Sequence, residues 1–247
     1  MTTAVRPDET RTVGPERGVE RYRLVERVIH WEVAITFTAL MLSGLALGYP
    51  RMFWLANLFG GGQTMRVAHP WIGISFTLGI AVMAVMWAST MRFNREDRRW
   101  FRTAGTYART GHSPTDTGKW NAGQKAYFWL AVVTAVVLLA SGIPLWFPNG
   151  FGVGVVRWSR FTHHATFLVA VGGYIIHVLL SAFMFEGTMD SMTTGRVSRA
   201  WAAWHHPRWF RQRIGNTATE VADTHRNTME SPALAESTDP PDPQPLP

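Results

Sequence analysis

Four stretches of the chain are almost continuously apolar, at 28–49, 68–90, 126–147 and 159–185. Each is long enough for the roughly 20 residues an α-helix needs to cross a hydrocarbon core of about 30 Å. A water-soluble domain of this length would instead spread its apolar residues at helix or strand period. The pattern predicts an all-α integral membrane protein, a four-helix bundle over 26–190. Residues 1–25 read as a solvated N-terminal tail, 91–121 as a polar loop, 191–214 as a basic amphipathic segment, and 215–247 as a Pro-rich disordered tail.

Charge orders these elements. The connection between the first two spans carries only Arg51 and Arg66, and that between the last two only Arg157 and Arg160. All the other Lys and Arg residues fall in the N-terminal segment, the middle loop and the C-terminal segment. The positive-inside rule then puts both termini and the 91–121 loop in the cytoplasm. Trp54, Trp71, Trp146 and Trp158 mark the outer ends of spans, and Trp31, Trp87 and Trp120 the inner ends. The formal net charge of +7 is explained by this topology and not by phosphate binding, so no nucleic-acid partner is expected. Residues 1–25 lack the apolar stretch of a cleavable signal peptide, so the first span is expected to direct its own insertion.

The chain has no cysteine. Disulfides, iron–sulfur ligation and covalent heme attachment are therefore excluded within it, and any redox group must be held by other ligands. Histidine is the candidate. A His inside a span is costly without a partner, and the ordinary reading of a single one is an interfacial side chain bonded to a carbonyl or water.

The arrangement of the set argues for more. His30 begins the first span, His69 the second, and His163 and His164 the fourth, while His177 lies in the inner half of the fourth. With alternating span directions, His30 and His177 share one depth, and His69 shares the other with His163 or His164. Fourteen residues separate His163 from His177, close to four full helical turns, so these two share a face about 21 Å apart along the axis. His164 falls almost opposite and is read as an interfacial neighbour near a propionate. Two imidazole pairs at two depths suit two b hemes, each iron taking one imidazole per porphyrin face. Gly44, Gly73 and Gly173 leave room on the ligand faces, where small residues otherwise serve helix packing.

Other polar groups receive plainer readings. Glu32 points away from His30 and is expected to pair with Arg27 or water. His112, His205, His206 and His225 are assigned no metal role. Asn121 with Gln124 forms a capping-box pattern at the start of the third span. The same amides suit a quinone head group, and the two readings are compatible.

The segments ERVIHW around His30, HPWIGI from His69, GKWNAGQK at 118–125, RWSRFTHH at 157–164, His177, and GRVSRAWAAWHHPRW at 195–209 carry a resemblance. Over about residues 20–213 the chain resembles the gamma (cytochrome b556) subunits of respiratory formate dehydrogenases. That resemblance implies heme ligation by His30 with His177 and by His69 with His163. It also implies a menaquinone contact at Asn121, Gly123 and Gln124 beside His177, in the bacterial cytoplasmic membrane. The implied partners are an iron–sulfur subunit and a molybdenum- or tungsten-containing catalytic subunit. The cytochrome b of a quinone-linked nickel–iron hydrogenase shares the bundle, and a heme-free membrane anchor is the rival from another class.

Overall fold

A computed structural model describes residues 18–215. The expected disordered tail from 216 onward, His225, and the first seventeen residues of the expected N-terminal tail lie outside the described residues.

Four long helices form the body: α1 (Leu24–Gly48), α2 (Gly62–Trp87), α4 (Ala122–Trp146) and α5 (Val153–Val178). All four are long and apolar enough to cross a bilayer, α5 continuing to Met184. The chain is therefore an all-α, multi-pass membrane protein. Large apolar side chains such as Ile35, Val85, Val133, Val136 and Ile176 point outward, as lipid-facing positions do. Each helix begins several residues before its apolar block, because caps and polar first turns carry no hydropathy signal. Asn121 caps α4 by accepting from the Gln124 N–H at 2.8 Å, while Gln124 Oε1 accepts from the Asn121 N–H at 3.0 Å. In α1 the same role falls to Glu26, which accepts from the Arg23 N–H at 2.7 Å.

Extensive contacts join α1 to α2, α4 to α5 and α2 to α4, whereas α1 and α5 meet only sparsely. Phe76 and Ile80 of α2 and Ala135 of α4 are buried together at mid-bundle, with Val33, Phe37 and Leu40 of α1 against them. A wide helical turn at Leu179–Met184 follows α5, one residue beyond Val178, with the Phe185 N–H bonded to Leu180 O at 3.1 Å.

A polar layer closes the end of the bundle that holds both described termini. The 91–121 loop contains a helix, α3 (Arg95–Thr110), capped by Asn94 and ended by Gly111 at φ 67°. Buried Trp100 and Tyr107 of α3 pack with Ala122 of α4. After α5 come α6 (Asp190–Thr193), α7 (Arg199–His205) and a helix α8 at 207–215. A two-residue strand β1 (Val19–Glu20) pairs antiparallel with β2 (Arg196–Val197).

Two expectations change here. Residues 18–25 are not a solvated tail: Arg21 and Tyr22 are buried. The 191–214 segment is not a helix lying on a membrane surface either. Trp201, His205, His206 and Trp209 all turn inward. Their apolar and aromatic partners are supplied by distant parts of the chain, which local pattern cannot reveal.

Candidate functional site

The five span histidines sort into two pairs and one outlier. His30 of α1 faces His177 of α5 with ring centroids 6.2 Å apart, and His69 of α2 faces His163 of α5 at 6.5 Å. His164 joins neither pair. Its Nδ1–H donates to Arg160 O at 2.8 Å, and its Nε2 lies against Gly48 of α1, 3.1 Å from where a Cβ would sit.

These spacings test the fit of a metal held between two rings. A His nitrogen bonds a metal at about 2 Å, and the ring centroid lies about 1 Å behind that nitrogen, so two rings sharing one ion have centroids about 6 Å apart. Both pairs meet that distance. Direct stacking would bring the rings nearer, as Tyr127 on His177 does at 4.4 Å with planes 5° from parallel. Both pairs are wider than that stack and steeply inclined, at 58° and 62° between ring planes. His30 Nδ1 is buried without a hydrogen-bond partner.

The helices hold each ring differently. Ser43 of α1 touches His69 Nδ1 at 2.7 Å, and Ser141 of α4 touches His163 Nδ1 at 3.0 Å. Each Ser precedes a glycine, Gly44 or Gly142, that packs against the same imidazole. A Cβ on Gly44 would stand 3.8 Å from His69 and 3.3 Å from Phe167, and one on Gly142 would stand 3.5 Å from His163. The sequence carries this signal as a shared LSG and ASG pattern near the ends of the first and third spans, although Ser43, Ser141, Gly142 and Tyr127 were not among the expected site residues. Gly73 has only Leu40 nearby, at 3.8 Å from a Cβ. Gly173 accommodates Leu130 and Tyr127 of α4, so here the missing side chain serves helix packing.

Glu32 differs from expectation. Its Oε1 accepts from Ser75 of α2 at 2.9 Å, and its other oxygen lies over Gly79. Arg27, the expected partner, donates instead to Met192 O and Thr193 O in the closing layer. The absence of a side chain on Gly79 lets the carboxylate reach across.

Asn121, Gly123 and Gln124 lie where α3 covers the start of α4. Asn121 is buried, and a Cβ on Gly123 would stand 3.0 Å from Trp100. The reciprocal cap uses the oxygen of each amide; the Asn121 NH2 meets the Tyr107 hydroxyl, and the Gln124 NH2 is left over. Beside this turn, Lys125 pairs with Asp97 of α3 at 2.9 Å in a buried setting. Arg21 donates to Lys119 O at 2.8 Å, meets His206 Nε2 at 3.0 Å, and has the rings of Trp201 and Trp209 each 5.0 Å away. His205 Nδ1 meets the Tyr107 hydroxyl at 3.0 Å. Burial, then Arg21, pushes His206 well below the usual imidazole range, and burial, Arg21 and His112 push His205 down to about 4. Burial raises Tyr107 to about 12. These groups are neutral near pH 7.

Four apolar spans with paired intramembrane imidazoles define a membrane-embedded b-type cytochrome architecture. The chain belongs to the prokaryotic cytochrome b561 family, whose model matches residues 21–195. Over 198 residues it is 34% identical to the nitrate-inducible formate dehydrogenase cytochrome b556(Fdn) subunit of Escherichia coli K12, covering 78% of this chain and 91% of that one. It is 32% identical to the formate dehydrogenase cytochrome b556(fdo) subunit of the same strain, covering 78% and 92%. The formate dehydrogenase cytochrome b556 subunit of Haemophilus influenzae is 31% identical, with 82% and 86% covered.

Proposed function

We propose that this chain is the membrane cytochrome b subunit of a respiratory formate dehydrogenase, anchoring the complex and passing electrons to menaquinone. In this reading both termini and α3 face the cytoplasm of a bacterial inner membrane, an orientation that the distribution of Lys and Arg supports. His69 with His163 holds one b heme toward the outside, and His30 with His177 holds another toward the cytoplasm. The observation that carries the reading is the pair of ring spacings, 6.2 and 6.5 Å, at two levels of one bundle.

Bound there, two b hemes supply one-electron carriers between an iron–sulfur subunit outside and a quinone inside, with formate oxidised on a separate molybdenum- or tungsten-containing subunit. The chain's own residues do the rest. The four imidazoles grip and orient, and the apolar spans keep water from the interior. Gln124 offers its spare amide N–H groups to a quinone carbonyl, with Asn121 and Gly123 shaping the same turn and His177 stacked on Tyr127 of the same helix. The relatives' names support formate as the upstream substrate.

The test is His177→Ala in the intact complex. It should abolish one heme and quinone reduction while formate oxidation with an artificial acceptor persists. Unchanged heme content and quinone activity would overturn the assignment. Co-purification of a nickel–iron subunit would overturn formate as the substrate.

A further inference from the structure

The two imidazole pairs differ in how their second nitrogens are bound, and we infer that Ser43 and Ser141 are positioning residues that hold the His69–His163 center at a lower reduction potential than the His30–His177 center. The inference rests on the di-heme reading above.

A serine hydroxyl has one proton to donate and lone pairs with which to accept. Ser43 is fully buried, and its Oγ–H is used on Ala39 O at 2.7 Å, four residues back in its own helix. The Ser141 Oγ–H is used in the same way on Val137 O at 2.6 Å. Neither hydroxyl has a proton left for the imidazole 2.7 or 3.0 Å away. A neutral imidazole that binds iron through Nε2 carries its proton on Nδ1, and the back-bonded serine is set to accept it, in His69 and His163 alike. That fixes the tautomer and leaves Nε2 as the free lone pair for iron. The two serines come from different helices, α1 and α4, yet meet their histidines through the same Ser–Gly step and the same back-bonded hydroxyl. The repetition argues for a built feature.

The other pair has no counterpart. His30 Nδ1 is buried with no partner, and among the described residues the His177 ring makes no hydrogen bond but is held by stacking on Tyr127. An imidazole that donates from its outer N–H is a more basic ligand, and a more basic ligand favors the ferric over the ferrous state. Hydrogen bonding around the ligands is one of the levers that sets heme potential. Two such donors on one center and none on the other lower the His69–His163 potential relative to its neighbor. Electron flow from the outer side to the inner side is then downhill, which offsets the opposing membrane potential.

The experiment is a potentiometric titration of the b-type absorbance in the purified complex, with Ser43→Ala, Ser141→Ala and the double variant against the unsubstituted protein. Alanine is a good helix former, so these changes leave the spans intact. The unsubstituted protein should titrate as two components. Each single variant should move only the lower one upward, the double variant should move it further, and Ser141→Thr should restore it because threonine keeps both the acceptor and the back-bond. Loss of fixed ring orientation should also alter the low-spin electron paramagnetic resonance signal of that component alone. A single wave in the unsubstituted protein, movement of the higher component, or no movement would overturn the inference while leaving the di-heme reading standing. Absence of any b-type spectrum would overturn both.

Discussion

Lys125 and Asp97 form a buried ion pair, with Nζ 2.9 and 3.1 Å from the two carboxylate oxygens, and it fastens α3 onto the first turn of α4. Both side chains are nearly shut off from solvent, at 5% and 8% exposure. Removing one partner strands the other charge, which costs about 3–5 kcal/mol, whereas replacing both with apolar groups of similar volume is close to neutral.

Asp97→Ala should therefore loosen α3 and make 95–110 a protease-sensitive segment. An Asp97→Leu/Lys125→Met double variant should restore resistance. Limited proteolysis in detergent checks both. Equal sensitivity in the single and double variants would show that the pair does not hold α3.

Tyr127 bears on the same end of the bundle. Its ring lies flat on His177, and an aromatic pair of this kind contributes about 0.5–1.5 kcal/mol beyond area burial. Tyr127→Phe should keep heme content and quinone reduction near the unsubstituted level. Tyr127→Ala should lower both, by lowering occupancy of one heme. Heme assay alongside quinone-reduction rate checks this, and equal behavior of Phe and Ala would reject a role for the stack.

Gly44 tests the opposite end. A leucine there would drive its side chain into Phe167 and His69, whose atoms already lie 3.3 and 3.8 Å from where the Cβ would stand. Gly44→Leu should remove the heme of the His69–His163 pair and spare the other, halving the heme measured per chain. Full heme content would show that this space is not needed.

The polar closing layer should respond to acid. His205 and His206 are neutral in the folded protein, with burial and Arg21 holding His205 near 4 and His206 well below the usual imidazole range. An unfolded histidine titrates near 6.5, so below about pH 6.5 the unfolded segment takes up protons that the folded one refuses. The stability of this layer is thus complete above that pH and falls as pH drops toward 4. The neighbors Arg21, Lys119, Tyr107 and His112 supply no carboxylate to these rings that would reverse the sign. Protease sensitivity of 199–215 should rise between pH 7 and 5, and His206→Gln, which cannot take a proton, should flatten part of that rise.

The membrane body was legible because bilayer crossing demands long apolar runs, and helical angle placed His163, the ring opposite His69, rather than His164 on the face of His177. The closing layer was not. Asn94 and Asp97 form a capping box, and Trp100, Ala104 and Tyr107 mark one face of α3, a strongly amphipathic pattern that its many charged residues hide from a search for long apolar runs. The inward turn of Arg21, Tyr22, His205 and His206 depends on contacts across 98 to 185 residues of chain, as in Arg21 with His206. Ser43 and Ser141 were visible only as a repeated tripeptide, because the role of a serine hydroxyl depends on which ring it meets.

The central claim is that four imidazoles act as two iron-binding couples. Heme quantification with a reduced-minus-oxidized spectrum tests it most directly, on the purified complex and on His69→Ala and His30→Ala. The account predicts two b hemes per chain, falling to one in each variant with different components lost. Fewer than two in the unsubstituted protein, or two retained in either variant, would contradict it.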